Sequence, residues 1–395
     1  MISSFNFGLK NQSFIFLLLA YFILTPECRN SKNHAYTVEL KASDKRIDLQ
    51  LCPDSRNLVF MHDSFVWNDS SFFACYNERG NKVEIYNLEK GVLSASIQFQ
   101  TEGPDAIIGI ADFIMQTPDT IYTINFGTKE IACVSHDGSI FKRISILEDI
   151  EGRKIQPVFY EEGLKNFIID GNIYLGQEYR LANMSSLSQD LLEKTRVNVL
   201  VNTRLGDCFS STLTYPVELL GRDVSGMKVY RDIAFDNGFI YHFGQLNSLY
   251  LTKDHISFRK VPLRIEYDLQ FPQENQDILS KGFEKYYDYY LQHDELLNIY
   301  FDKYRCYYYL VVRVRGRGIE KGKDFSMQFM YPKCMIIVLD RNLNSLGEFL
   351  LPDDKYSCQV MFVAPDGLYI SEDHPNNPDF DEDFMRFRLF KLEKQ

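Results

Sequence analysis

The sequence predicts an all-β fold, a six-bladed β-propeller of four-stranded antiparallel blades. Three observations carry the prediction. A polar turn followed by a short apolar, Tyr-rich strand recurs six times along the chain. A further strand follows each recurrence after a few residues or an insertion. The last unit has only three strands before the chain stops at Gln395, while an alternating segment near the beginning can supply a fourth. Repetition at this period is the mark of an array fold.

The recurring phrase is Asn68-Asp69 before Phe72-Phe73-Ala74-Cys75, Pro118-Asp119 before Ile121-Tyr122, and Asp170-Gly171 before Ile173-Tyr174. It returns as Asp236-Asn237-Gly238 before Phe239-Ile240-Tyr241, Asp302-Lys303 before Tyr307 to Val312, and Pro365-Asp366-Gly367 before Leu368-Tyr369-Ile370. Region 109–147 is the clearest unit. Ile110 to Met115, Ile121 to Asn125, Ile131 to Ser135 and Phe141 to Leu147 read as four strands, with the hairpin signal Asp137-Gly138 before the last. Four antiparallel strands in about 40 residues make one propeller blade.

The same order extends to the rest. Blade one spans about 58–100, with Val83 to Tyr86 third and Ser94 to Phe99 fourth. Blade three runs from Leu164 to Tyr215 and carries an insertion, Ser185 to Arg196, that reads as a short helix. Blade four covers 229–264, and blade five covers 290–352 with a hairpin excursion at 313–330. Blade six starts near Gln359. Ala35 to Leu40 alternates like a strand and is expected to fill its missing outer position, because open sheet edges invite aggregation.

Composition agrees with this architecture. Of 395 residues, 45% are hydrophobic and 14% aromatic, with 31 Phe and 25 Tyr against a single Trp. Phe and Tyr favour half-buried pleated surfaces. The formal net charge is −11, which argues against a nucleic-acid partner, since those need a basic face.

Residues 1–27 read as a signal peptide. Lys10 is the only charge before an apolar run from Phe14 to Leu24. That run is about 11 residues, short for a membrane span and right for a signal-peptide core. Cys28 follows as a candidate lipidated residue, although Glu27 stands where a lipobox carries a small side chain. Residues 28–33 would then be a linker, and 34–395 one propeller domain. The remaining cysteines, Cys52, Cys75, Cys133, Cys208, Cys306, Cys334 and Cys358, show no CxxC spacing, and no Cys/His cluster has zinc spacing. Most sit in apolar strands and read as core.

Two further phrases are distinctive: Glu102-Gly103-Pro104-Asp105-Ala106-Ile107 before blade two, and Tyr300-Phe301-Asp302-Lys303-Tyr304-Arg305 in blade five. With the export signal ending in Cys28, they make the chain resemble the six-bladed β-propeller lipoproteins of Bacteroides and related bacteria, a family of unknown function. The resemblance implies a propeller outside the cytoplasm and lends no catalytic residues.

Candidate site residues come from loops and inner strands expected at the channel mouth. Asp105 and Asp112 could act as acid and base or bind a cation; the plainer reading makes 103–105 a blade-joining turn. Arg222, Asp223, Tyr230, Arg231 and Asp232 form a second group. Arg231 could face the channel and grip an anion, or pair structurally between neighbouring blades. The third is a Tyr-rich segment around Asp277 to Tyr290, expected to be helical over the top face, with His293 beside it. Arg313, Arg315 and Arg317 alternate and read as the wet side of a hairpin. The acidic loop Asp379-Asp381-Asp383 lacks the Gly and Glu of an EF-hand. GxSxG, HExxH, P-loop and GxGxxG motifs are missing from the sequence. No cofactor or metal is expected.

The sequence therefore points first to a non-catalytic binding or interaction protein of the bacterial envelope, held to the membrane by an N-terminal lipid. Its partner would be a glycan, a peptide or an envelope protein. The second reading is a glycan-acting hydrolase or lyase using carboxylates at the channel mouth.

Overall fold

The polar phrases are tight hairpin turns, and their backbone shows why those residues are needed. Asn68 and Asp69 both take positive φ (47° and 60°), as do Asp170 and Gly171 (50° and 74°). Two left-handed residues in sequence make a turn whose twist matches the flanking strands, and Asn, Asp and Gly tolerate it best. At Gly138 (φ 83°) a Cβ would also collide with the carbonyl oxygen of Gln98 in the preceding blade. The fold is a computed structural model describing residues 38–155, 165–176, 188–220, 229–244, 246–272, 278, 281–316, 318–319 and 325–394.

These turns connect six four-stranded antiparallel sheets, a six-bladed β-propeller. Blade one is β2 (His62–Trp67), β3 (Ser70–Asn77), β4 (Lys82–Asn87) and β5 (Val92–Gln98). Blade two is β6 (Ile110–Thr117), β7 (Thr120–Asn125), β8 (Glu130–Ser135) and β9 (Ile140–Ser145). Blade three is β10 (Phe167–Ile169), β11 (Asn172–Gly176), β12 (Asn198–Asn202) and β13 (Cys208–Ser210). Blade four is β14 (Val229–Ile233), β15 (Phe239–Phe243), β16 (Ser248–Thr252) and β17 (Arg259–Pro262). Blade five is β18 (Glu295–Asp302), β19 (Tyr307–Arg313), β20 (Cys334–Leu339) and β21 (Ser345–Leu350).

Blade six closes the ring. Its order is β1 (Val38–Gln50), β24 (Phe384–Lys394), β23 (Gly367–Ser371) and β22 (Ser357–Ala364), so the outermost strand comes from the N-terminal side. β1 pairs with β24 from Val38 opposite Lys394 to Gln50 opposite Phe384, with an irregularity between Ala42 and Arg46. The expected closure is present. It is longer than the alternating pattern suggested, and of the expected strand only 38–40 lie within the described residues.

Period-2 alternation sends successive side chains of a blade to opposite neighbours. Phe73 packs with Phe362 and Phe387 of blade six, while Ala74 packs with Phe113 and Met115 of blade two. The described residues form six apolar clusters, one at each blade-to-blade seam. Five of the seven cysteines are buried in the strands, and all seven are free thiols.

Helices are few. Gln189–Lys194 falls within the expected insertion, and Phe283–Leu291 realises the expected helix of the Tyr-rich segment. The excursion in blade five differs from a plain hairpin and contains a helix, Phe325–Met330. Arg313 ends β19 buried against Glu295 at 3.0 Å, and Arg315 bonds Asp294 at 2.6 Å. These two arginines are therefore not a wet strand face, because buried carboxylates hold them; Arg317 lies outside the described residues. Among the described residues no helix is long and apolar enough to cross a membrane.

Candidate functional site

The first strand of each blade, β2, β6, β10, β14, β18 and β22, contributes to the wall of one central cavity of about 300 Å³. Its rim includes Val66, Lys303, Tyr304 and Pro365, which lie at the turn-side ends of the inner strands. The cavity thus opens on the face of the short hairpin turns, opposite the blade-joining loops that sequence reasoning favoured. The reason is topological. The strands point their turn ends away from the loops that join blade to blade, and the long insertions gather on the loop side.

Three carboxylates line the cavity: Asp63, Asp112 and Asp232. Each is tied to its own strand and to the next blade. Asp63 Oδ1 accepts the Ser64 N–H at 2.8 Å, and its Oδ2 accepts the Met115 N–H of blade two at 3.3 Å. Asp112 accepts the Phe113 N–H at 2.8 Å and the Asn166 side-chain amide at 2.7 Å. Asp232 accepts the Ile233 N–H at 2.7 Å and the Phe301 N–H of blade five at 2.8 Å. Asn166 and Asn298 stand at the corresponding places of blades three and five, and Asn298 accepts the Ile299 N–H at 2.8 Å. An Asp or Asn therefore recurs in five inner strands or just before them; Asp63, Asp112 with Asn166, and Asp232 staple neighbouring blades, while the bonds of Asn298 stay within blade five.

Electrostatics follow from this enclosure. Burial pushes Asp112 up to about 7, against the hydrogen bonds from Asn166 and Phe113 that favour its charged form. Burial also raises Asp63 and Asp232. His62, whose Nε2–H donates to the Met361 carbonyl at 3.2 Å, is held neutral by burial and pushed down to about 4. The cations on the wall are Lys165 and Lys303. The Lys165 ammonium reaches from blade three to lie over the Tyr300 ring of blade five, 4.0 Å from its centroid.

The sequence-predicted residues divide sharply. Asp112 and Asp232 line the channel; Asp105 does not. It sits in a turn closed by Ala106 N–H to Gly103 O at 3.2 Å, and Arg143 donates to the neighbouring Pro104 and Ala106 carbonyls. The expected pairing of Asp105 with Asp112 is therefore not formed. Tyr230 is buried in the apolar seam between blades four and five. Arg231 does not face the channel. It is fully buried and turns back onto blade three, donating to the Lys165 and Tyr174 carbonyls, to Asn198 Oδ1 at 2.6 Å and to the Tyr241 hydroxyl at 3.1 Å. The plainer reading, an Arg joining neighbouring blades, holds, although its partners are carbonyls, an amide and a hydroxyl rather than an Asp. His293 donates from Nδ1 to the Tyr289 carbonyl at 2.7 Å, one turn back along the helix, and its ring lies against that of Tyr289. Arg222, Asp223 and Cys28 lie outside the described residues.

Asp63 and Lys165 were not anticipated. The available signal was the Asp or Asn recurring in inner strands, visible only once the strands are aligned blade by blade. Both phrases behind the family resemblance prove architectural. Arg305 bonds Asp302 at 2.6 Å and reaches the Pro365 and Ala364 carbonyls of blade six. Among the described residues no group of three or more His, Cys, Asp or Glu side chains is placed to share a metal ion.

Residues 38–350 match the family model described as a domain of unknown function, DUF4221. The chain belongs to this family. A crystal structure of a DUF4221 member from Bacteroides vulgatus superposes with a TM-score of 0.81 at 20% identity, covering 91% of this chain and 100% of that one. A candidate exported protein from Bacteroides fragilis superposes with a TM-score of 0.51 at 12% identity, covering 92% of this chain and 97% of that one. At these identities the likeness is one of fold. No curated protein matches the sequence.

Proposed function

We propose that this DUF4221 chain is an exported, lipid-anchored propeller that binds a ligand in its central channel without transforming it. The observation that carries this reading is the state of the three channel carboxylates. In each, one oxygen accepts the next residue's N–H and the other accepts a donor from the following blade. A general acid or base must exchange its proton with substrate and needs a free oxygen within hydrogen-bond reach. Carboxylates whose two oxygens each accept a fixed donor, a backbone N–H or the Asn166 amide, serve the frame. The apolar wall of Phe65, Phe113, Phe167 and Phe301 suits a binding pocket, in which few polar groups set orientation.

Export is supported by the Phe14 to Leu24 run and by a structural neighbour named as a candidate exported protein. Anchoring rests on Cys28. The test of location is incorporation of a labelled fatty acid with release from membranes by Cys28→Ala; a wild-type chain that takes up no label sinks the anchor. The test of function is a thermal-shift ligand screen on the chain from residue 33, repeated with Val66→Trp at the channel rim. Hits unaffected by that substitution would place the ligand elsewhere and end the reading.

The glycan-acting alternative is favoured by one observation: Asp112, at about 7, lies where a general acid works best. Turnover of a glycan panel that disappears in both Asp112→Asn and Asp232→Asn supports it. No turnover by the wild-type chain leaves the binding reading.

A further inference from the structure

We infer that the channel receives a small organic carboxylate with an apolar body, and that the Lys165 ammonium is the group that takes its head. This deepens the channel-binding reading and rests on it.

Lys165 has what a fixed anion receptor requires. Its backbone is clamped from two sides. The guanidinium of Arg231 donates to its carbonyl from both Nε and Nη2. The next residue, Asn166, is locked between the Asp112 carboxylate and the Gly176 N–H, each at 2.7 Å. The side chain leaves this clamp and crosses the channel to Tyr300, whose hydroxyl is itself held by the Asn298 amide at 3.0 Å. A ring face attracts an ammonium without accepting a conventional hydrogen bond from it. The lysine is therefore positioned, yet among the described residues no oxygen lies within ion-pair or hydrogen-bond distance of its Nζ. With respect to the described residues its N–H donors are open to a ligand.

The channel carboxylates do not compete for that role. Asp63, Asp112 and Asp232 are engaged by the strand backbones and the Asn166 amide. Of the two wall cations, Lys303 stays beside Tyr304 at the rim, whereas Lys165 is the one that crosses the channel, where its charge acts on Asp63 and Asp232. A carboxylate head on an ammonium forms the strong, charge-assisted type of hydrogen bond. The remainder of the ligand would lie against Phe65, Phe113 and Phe301. The cavity of about 300 Å³ sits at the small end of ligand pockets, which span roughly 300–1,000 Å³.

The experiment is titration calorimetry on the chain from residue 33 with hexanoate, hexanol and hexylamine, three probes of one length and different heads. Hexanoate is expected to bind, with hexanol weaker by about tenfold or more. Lys165→Met is expected to cost hexanoate a similar factor, while Lys165→Arg retains binding. Thermal melts of both variants report whether the fold survives. Equal binding of hexanol, undiminished binding by Lys165→Met, binding of hexylamine in place of hexanoate, or no heat from any probe each overturns the inference. Val66→Trp separates the two levels. If hexanol or hexylamine binds and this plug abolishes it, the anion assignment fails and the channel reading stands. If hexanoate binds regardless of the plug, both fail.

Discussion

Asn166 donates its side-chain amide to the Asp112 carboxylate across the seam of blades two and three, at 2.7 Å, while its own carbonyl oxygen accepts the Gly176 N–H at the same distance. Asn166→Ala leaves the Gly176 N–H buried and without this acceptor, and takes the amide donor from Asp112, which keeps its backbone N–H bonds. Unpaired buried polar groups cost about 1–3 kcal/mol each. The expected loss is about 2–4 kcal/mol in urea unfolding, with the dependence on urea unchanged. A change under about 0.5 kcal/mol, as for an ordinary surface substitution, would remove the staple as a stabilising device.

Two buried groups give opposite pH dependence. Asp112, at about 7, keeps a proton that the unfolded chain has lost. Its protonation contributes stability below the unfolded carboxylate range, near 4, and that contribution is lost as pH rises through 7. The stability of the wild type relative to Asp112→Asn should fall over that window, by at most about 1.4 kcal/mol per pH unit. His255, packed against Tyr174 and Phe239, is pushed down to about 4 by burial. The unfolded chain protonates it below about 6.5, so acidification from there to 4 costs the wild type stability. Relative to His255→Phe, the wild type should gain stability as pH rises through that window. Urea midpoints at half-unit pH steps check both; slopes of the same sign for the two variants contradict the assignment.

Ring closure predicts that the N-terminal strand matters far beyond its length. Deleting residues 34–41 removes the pairing of Val38 to Lys41 with Lys391 to Lys394, and with it Val38 and Leu40 from the seam of blades five and six. The expected consequence is a melting temperature lower by about 5 °C or more in scanning calorimetry. An unchanged melt would mean that the ring holds without its clasp.

The blades were legible because hairpin turns and strand alternation are local. Asp137-Gly138 and Asp170-Gly171 announce themselves within four residues, and the missing fourth strand of blade six pointed to the opposite end of the chain. The site was legible only in part. Asp112 and Asp232 were selected for their charge, but their staple role needs the neighbouring blade's N–H, which no local pattern reveals. For Arg231 the sequence leaves two readings, a channel-facing side chain or a link between neighbouring blades, because a local pattern does not say which way an inner-strand side chain turns. Blade faces pack on neighbouring blades, so alternation sends Asp232 forward to Phe301 and Arg231 back to Tyr174. Lys165 stood in no motif; its importance comes from the distance across the ring to Tyr300.

Arg231 gives the sharpest test of how the frame positions that lysine. Its guanidinium is fully buried, lies near the rings of Phe167, Phe239 and Tyr241, and spreads its donors over two carbonyls, an amide oxygen and a hydroxyl. Only a planar fork serves four acceptors in different directions, and a lysine ammonium of the same charge does not. Arg231→Met strands those neutral acceptors, at about 1–3 kcal/mol for each one left buried and unpaired, and should destabilise the chain by about 3 kcal/mol. Arg231→Lys should recover less than half of that loss. Both are read from urea unfolding of the chain from residue 33. If lysine restores full stability, charge rather than fork geometry holds the seam, and the clamp on the Lys165 carbonyl is not what fixes its backbone.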